Sequence, residues 1–117
     1  VKGLATLFKN KAYGGKRKML SMSKIREDLK KIRYYYTRRE VLEAAFGETG
    51  TNTVVDTVRK YNKAVLDAPP RLYDVYASLY VRGFTQEALA AELNFSVEYI
   101  QMLNVRLVKF LQTRIEE

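Results

Sequence analysis

Apolar residues along most of this chain recur at spacings of three and four, which is the period of one face of an α-helix. The first such stripe predicts a long helix over residues 23–46, with Ser23 as its N-cap and Gly47 as its stop. The residues that carry this stripe are Ile25, Leu29, Ile32 and Tyr36, extended by Leu42, Ala45 and Phe46.

A polar loop over residues 47–52 precedes a second stripe, for which Thr53 is a candidate cap. Pro69 and Pro70 end that helix and favour a new start at Pro70 or Arg71, running up to Gly83. The apolar positions of these two helices are Val54, Val58, Tyr61 and Val65, then Leu72, Val75, Tyr76, Leu79 and Tyr80. Because no segment alternates with period two, we expect an all-α helical bundle of about five helices, with a further short one in residues 4–8.

Residues 85–111 predict two helices joined by a short turn. Thr85 and Ser96 are the expected N-caps, and Asn94 suits a left-handed residue in the turn. The expected inward positions are Ala88, Leu89 and Leu93 in the first helix, with Ala90 or Ala91 at the close approach, and Ile100, Leu103, Leu107 and Leu111 in the second. This pattern fits both an ordinary helical hairpin and a helix-turn-helix that places its second helix in a DNA major groove.

The composition excludes several classes of chemistry. The chain has 117 residues and contains neither cysteine nor histidine. Disulfides, zinc fingers and sites that need a Cys or His nucleophile are therefore ruled out. A metal or hydrolytic site built from carboxylates alone is the alternative that the composition leaves open. We expect no catalytic residues, no metal, no cofactor and no enzyme activity. No apolar run approaches the ~20 residues that span a bilayer, so we expect no membrane partner.

Positive charge is concentrated in the N-terminal half. The net charge is +8. Residues 1–23 carry six basic and no acidic side chains, residues 24–66 carry ten and six, and residues 67–117 carry five and seven. We expect a basic arm or extension over residues 1–22, a helical region over 23–66 and a helix-turn-helix domain over 67–117. Residues 1–21 have three open interpretations: tag or vector sequence, an upstream extension, or a native arm. The basic half favours a polyanionic partner.

The C-terminal pattern resembles region 4 of sigma-70 family factors. The matching positions are Leu66, Pro69-Pro70-Arg71, Val75 and Tyr80, then Gly83-Phe84-Thr85-Gln86-Glu87, Leu89-Ala90, Leu93, Ser96, Ile100, Leu103 and Arg106-Leu107. Together with the upstream stretch Lys30-Lys31-Ile32-Arg33-Tyr34-Tyr35-Tyr36, the chain resembles the ArpU/RinA-type phage late-gene regulators. The resemblance implies a sequence-specific, DNA-binding transcription activator in the cytoplasm of a bacterial or phage-infected cell.

The resemblance also implies where DNA is bound. It places base- or backbone-contacting residues at the start of the second helix, namely Val97, Glu98, Tyr99, Gln101 and Met102, with Thr85, Ser96 and Arg106 as further contacts. Sigma factors usually have an Arg or Lys among these positions, whereas this chain has none before Arg106. We therefore expect a division of labour, in which residues 96–111 select the site and the basic N-terminal half holds the phosphates.

The basic-tyrosine stretch has several interpretations. Arg38 and Arg39 are candidate phosphate contacts, with a solvated surface as the alternative. Tyr36 is expected in the core, and the stripe over residues 25–46 could instead form a homodimer seam. Two other functions stay open. One is the DNA-recognition subunit of a phage small terminase, which would assemble as a higher oligomer. The other is a sigma-like module that docks on RNA polymerase.

Overall fold

The computed structural model describes residues 19–46 and 53–116, which form six α-helices. They are α1 (Met22–Thr37), α2 (Arg39–Phe46), α3 (Thr53–Val65), α4 (Pro70–Tyr76), α5 (Gln86–Leu93) and α6 (Val97–Arg114). A π-helical turn, Ala77–Val81, continues α4 without a break. Within these ranges no strand forms, and an isolated bridge pairs Met19 with Glu116. The all-α prediction is confirmed.

The predicted long first helix is wrong in two respects. Ser21 rather than Ser23 is its N-cap, and the Ser21 hydroxyl accepts a hydrogen bond from the Lys24 N–H at 3.0 Å. The helix also breaks at Arg38, which has φ −114° and ψ 25°. The Thr37 hydroxyl donates to the Arg33 carbonyl at 2.9 Å, and such back-bonding bends helices. The last turn also consists of three tyrosines and a threonine, which have lower helix propensity than leucine, lysine or arginine.

One apolar core unites α1, α3, α4, α5 and α6. The C-terminal helix α6 lies at its centre and packs against each of the other four. The expected core positions that are buried are Ile25, Leu29, Ile32, Val58, Tyr61, Val65, Leu72, Val75, Tyr76, Leu79, Leu89, Ala90, Ile100, Leu103, Leu107 and Leu111. Since Ile25, Leu29 and Ile32 are used inside this chain, that part of the stripe cannot form a homodimer seam.

Several expected core positions are more exposed than the pattern suggested. Ala88 is exposed and Leu93 is 39% exposed, so only Leu89 and Ala90 of the expected α5 positions are buried. Tyr36 is half-buried while its neighbour Tyr35 is buried. Tyr73, next to the buried Leu72, is 41% exposed. A short helix buries only a narrow face. If the helix is rotated by one residue relative to the predicted face, a side chain expected in the core lies in solvent.

Hydrogen bonds between side chains tie the N-terminal helices together. The Tyr61 hydroxyl donates to the buried Asp28 carboxylate at 2.7 Å and so links α3 to α1. Asn62 donates to the Tyr36 hydroxyl at 2.9 Å and accepts from the Tyr76 hydroxyl at 2.6 Å. This one amide therefore connects α1, α3 and α4. Such satisfied polar groups specify how the three helices are placed.

Some expectations lie outside the described residues. They concern the N-terminal segment with Leu4, Leu7 and Phe8, the stop at Gly47, and the packing of the Leu42, Ala45 and Phe46 side chains. In the part of the chain that the structure describes, no helix is long and apolar enough to cross a membrane. The same residues contain no cluster of three or more acidic side chains that could hold a metal ion.

Candidate nucleic-acid interface

Local signals define where α5 begins and how the turn between α5 and α6 is formed. Thr85 accepts a hydrogen bond from the Ala88 N–H at 3.0 Å and caps α5, as predicted. Asn94 ends α5 in the left-handed conformation, with φ 61° and ψ 42°, as predicted. The Phe95 N–H then returns to the Ala90 carbonyl at 2.9 Å, which satisfies a carbonyl at the helix end. Ser96 caps α6 by accepting from the Tyr99 N–H at 3.1 Å, again as predicted.

The two helices approach each other through small and branched side chains. Ala90 is buried whereas Ala91 is exposed, so Ala90 is the small residue at the contact. Leu89 and Ala90 pack in the same core as Ile100 and Leu103 of α6. The inner side of α6 is thus fixed by packing. Its opposite side is left facing solvent over about five helical turns.

This outward side of α6 carries four of the ten predicted contact residues, namely Glu98, Gln101, Met102 and Arg106. Exposed residues of α6 have exposed neighbours three or four positions along the chain, so together they form one stripe along the helix. They are Glu98, Gln101, Met102, Val105, Arg106 and Lys109. Glu98 stands near the N-terminal end of the stripe and the two cations stand further along it. The stripe can therefore offer amide, apolar and charged groups to one elongated surface.

Two predicted contact residues are placed differently. Val97 and Tyr99 are half-buried and pack against the core. The Tyr99 ring meets the Phe95 ring edge-on, with centroids 4.9 Å apart. Only part of each side chain therefore reaches the surface. Thr85 and Ser96 are exposed, but their hydroxyl oxygens already accept the capping bonds.

The predicted phosphate contacts Arg38 and Arg39 follow the end of α1. Arg38 is exposed and its guanidinium lies over the Tyr34 ring, 5.6 Å from the centroid. Arg39 is the first residue of α2, which packs against α1. Neither helix end belongs to the stripe on α6.

A different arginine of α1 does contact the segment that leads into α5. Arg33 donates to the Gly83 carbonyl at 2.9 Å, across fifty residues of sequence. Gly83 has φ +81°, a left-handed value that L side chains rarely adopt, and it turns the chain toward Thr85. The sequence pattern did not single out Arg33 for this contact, because nothing local signals a bond between residues so distant. The only feature of the sequence that draws attention to Arg33 is its position in the basic-tyrosine stretch.

A tyrosine connects the π-helical turn to α6. The Tyr80 hydroxyl donates to the Asn104 side-chain oxygen at 2.6 Å. Burial raises the pKa of Tyr80, while the bond to Asn104 and the positive charges of Arg33 and Arg26 act in the opposite direction. The hydroxyl therefore stays protonated at neutral pH and keeps its donor role. Arg26, Arg33, Tyr80 and Asn104 thus form one neighbourhood between α1 and α6.

A shallow cleft lies beside the turn that joins α5 and α6. It has a volume of about 430 Å³. Leu93 and Phe95, both more than a third exposed, contribute apolar surface to it. The Arg71 guanidinium lies over the Phe95 ring at 5.0 Å, and Arg82 adds a second cation. This cleft combines apolar and basic groups beside the turn that leads into α6.

Comparisons of the chain with protein-family models, with curated proteins and with solved structures gave no match.

Proposed function

We propose that this protein is a sequence-specific DNA-binding transcription regulator of the phage late-gene activator type. In this proposal α5 and α6 act as a helix-turn-helix, and the outward stripe of α6 enters the major groove. The resemblance to sigma-70 region 4 and to the ArpU/RinA-type regulators suggests this assignment. It also suggests that the protein works in the cytoplasm of a bacterial or phage-infected cell.

One observation carries the proposal: α6 is capped, held from one side, and presents its other side to solvent. Ser96 fixes where the helix begins, and Ile100 and Leu103 fix its rotation about its axis. A helix that is set in this way can offer side chains to base edges in a constant register. A partly exposed Met102 and Val105 in the stripe also suit contact with thymine methyl groups.

Gln101 is the best candidate base reader. It is exposed, it lies in the second turn of α6, and a glutamine amide can pair with the N6 and N7 atoms of adenine. Glu98, one turn earlier, can accept from the N4 amino group of cytosine. Because base contacts specify whereas phosphate contacts position, loss of Gln101 should change sequence preference more than general affinity.

Selection of duplexes from a random pool with the full chain tests this proposal. The selected duplex and a scrambled duplex are then titrated with wild type, Gln101→Ala and the control Glu92→Ala, which alters an exposed residue of α5. We expect Gln101→Ala to weaken binding to the selected duplex by roughly 5- to 150-fold, corresponding to about 1–3 kcal/mol, and to change scrambled-duplex binding little. Failure to enrich any duplex at low salt would overturn the proposal.

The cleft beside the α5–α6 turn favours a second candidate function, a sigma-like module that docks on RNA polymerase. Exposed Leu93 and Phe95, with Arg71 stacked on the ring, suit a protein partner that presents apolar and acidic side chains. Retention of purified RNA polymerase by the immobilised protein, lost in Leu93→Ser, would favour this function. Light scattering that showed a ring-sized oligomer would favour a terminase subunit instead.

A further inference from the structure

We propose that Arg26, Lys30 and Arg33 form a phosphate-binding edge on α1, which grips the backbone of duplex DNA beside the stripe of α6. This inference deepens the proposed function and rests on it. The inference assigns the contacts with DNA phosphates to an edge of α1 and not to Arg38 and Arg39. We call these three residues the α1 edge.

The three cations share one side of α1. They stand four and three residues apart, which brings successive side chains onto the same edge of a helix. Arg26 and Lys30 are exposed and Arg33 is half-buried. Among the side chains that the structure describes, no carboxylate forms an ion pair with Arg26 or Lys30. Their charge is thus available to an external anion.

Arg33 places this edge next to the beginning of α5. Its bond to the Gly83 carbonyl, at 2.9 Å, anchors α1 two residues before the Thr85 cap. The first N–H groups of α5 point away from the helix body and carry partial positive charge. A phosphate at this place would meet the helix end and Arg33 of the α1 edge together. Phosphates commonly bind where N–H groups and cations converge in this way.

The Tyr80–Asn104 hydrogen bond places the same edge beside the reading stripe. Helix α1 packs against the π-helical turn that carries Tyr80, and the positive charges of Arg26 and Arg33 act on the Tyr80 hydroxyl. That hydroxyl donates to Asn104, which stands one helical turn after Gln101 on α6. The α1 edge therefore flanks the side of α6 that carries Gln101. A duplex whose groove receives Gln101 would bring an adjacent backbone strand toward α1.

The other basic residues of α1 are less suited to this role. The Lys24 ammonium lies 2.9 Å from the Asp28 carboxylate, so its charge is already paired. Lys31 is exposed but is rotated by about 100° from Lys30 around the helix axis. Lys31 and Lys30 are thus neighbours of equal charge on different sides of one helix. Lys31 therefore serves as the control position in the following experiment.

Salt titration of duplex binding measures the number of phosphates that the protein neutralises. The logarithm of the binding constant falls linearly with the logarithm of salt concentration, with a slope of about −0.9 for each phosphate contacted. We would measure this slope by fluorescence anisotropy with a labelled duplex, for wild type, Arg26→Ala/Lys30→Ala and Lys31→Ala in the full chain. Both substituted positions are exposed, so circular dichroism should show an unchanged fold.

We expect the double variant to make the slope shallower by about 1.8 and to weaken selected and scrambled duplexes to the same extent. Lys31→Ala should keep the wild-type slope to within about 0.3. If the double variant and Lys31→Ala gave equal slopes while wild type bound duplex tightly, the α1 edge would be refuted and the proposed function would stand. If wild type bound no duplex at low salt, both would be refuted.

Discussion

Replacing Tyr61 with phenylalanine removes a donor from a buried carboxylate. Asp28 is only 5% exposed, although aspartate is rarely buried. One of its oxygens accepts from the Tyr61 hydroxyl at 2.7 Å, and the other lies 2.9 Å from the Lys24 ammonium. Tyr61→Phe keeps the ring and its packing but leaves one carboxylate oxygen without this partner. The change therefore isolates the hydrogen bond from the apolar contribution of the side chain.

We expect Tyr61→Phe to lower the free energy of unfolding by about 1–3 kcal/mol, since a buried acceptor loses its partner. In a domain of this size, each kcal/mol corresponds to a fall of roughly 4–8 °C in Tm. Urea unfolding followed by circular dichroism measures the change directly. Tyr73→Phe is the matched control because Tyr73 is 41% exposed, and a surface change of this kind should stay within about 0.5 kcal/mol.

Adding Asp28→Leu to Tyr61→Phe should restore part of the lost stability. A buried polar pair can be replaced by apolar residues with little loss, whereas removal of one partner leaves the other unsatisfied. If Tyr61→Phe were no less stable than Tyr73→Phe, the argument that Asp28 needs this donor would be wrong. A double variant that was less stable than Tyr61→Phe alone would contradict the desolvation argument.

Three further predictions concern stability. A chain that begins at residue 23 should unfold at lower temperature than one that begins at residue 19. The shorter chain loses the burial of Leu20, worth roughly 1.5–3 kcal/mol, and the Ser21 cap, worth about 1 kcal/mol. Equal thermal unfolding midpoints for the two chains would contradict this prediction. Burial raises the pKa of Tyr61 and Tyr76 above the usual 10.0, so their contribution to stability is complete below about pH 10 and is lost as pH rises further. The urea concentration at the unfolding midpoint should therefore fall between about pH 10 and pH 11.5, and it should fall less in Tyr76→Phe than in wild type. Asn94→Val should cost roughly 1–2 kcal/mol because of its positive φ, whereas Asn94→Gly should be nearly neutral in the same assay.

The features that the sequence predicted well are those set by neighbouring residues. Thr85, Asn94 and Ser96 each act within three or four positions of themselves, so their capping and turn roles could be inferred from local spacing. The buried stripe of α6 was likewise predictable, because an 18-residue helix repeats its pattern several times. For α5, with only eight residues, the pattern placed Leu93 on the wrong side.

The features that the sequence did not predict depend on residues far apart in the chain. Arg33 and Gly83 are fifty positions apart, and the bond between them requires that α1 lie across the end of the π-helical turn. The choice of Ser21 over Ser23 as the cap similarly depends on Leu20, which is buried and whose carbonyl accepts from Gln112 at 2.8 Å. Local patterns contain no information about such partners. A folded arrangement is needed to identify them.

The bridge between Met19 and Glu116 has a practical consequence for biophysical measurements. Both ends of the described chain meet at the carboxyl end of α6, and the helix runs 18 residues away from them. Its opposite end, at the turn before α6, is therefore about 27 Å away. A surface tether or a fluorophore attached beyond residue 116 would leave that turn and the first helical turns of α6 unobstructed. Energy transfer between such a fluorophore and a labelled duplex could then report which end of α6 the duplex approaches.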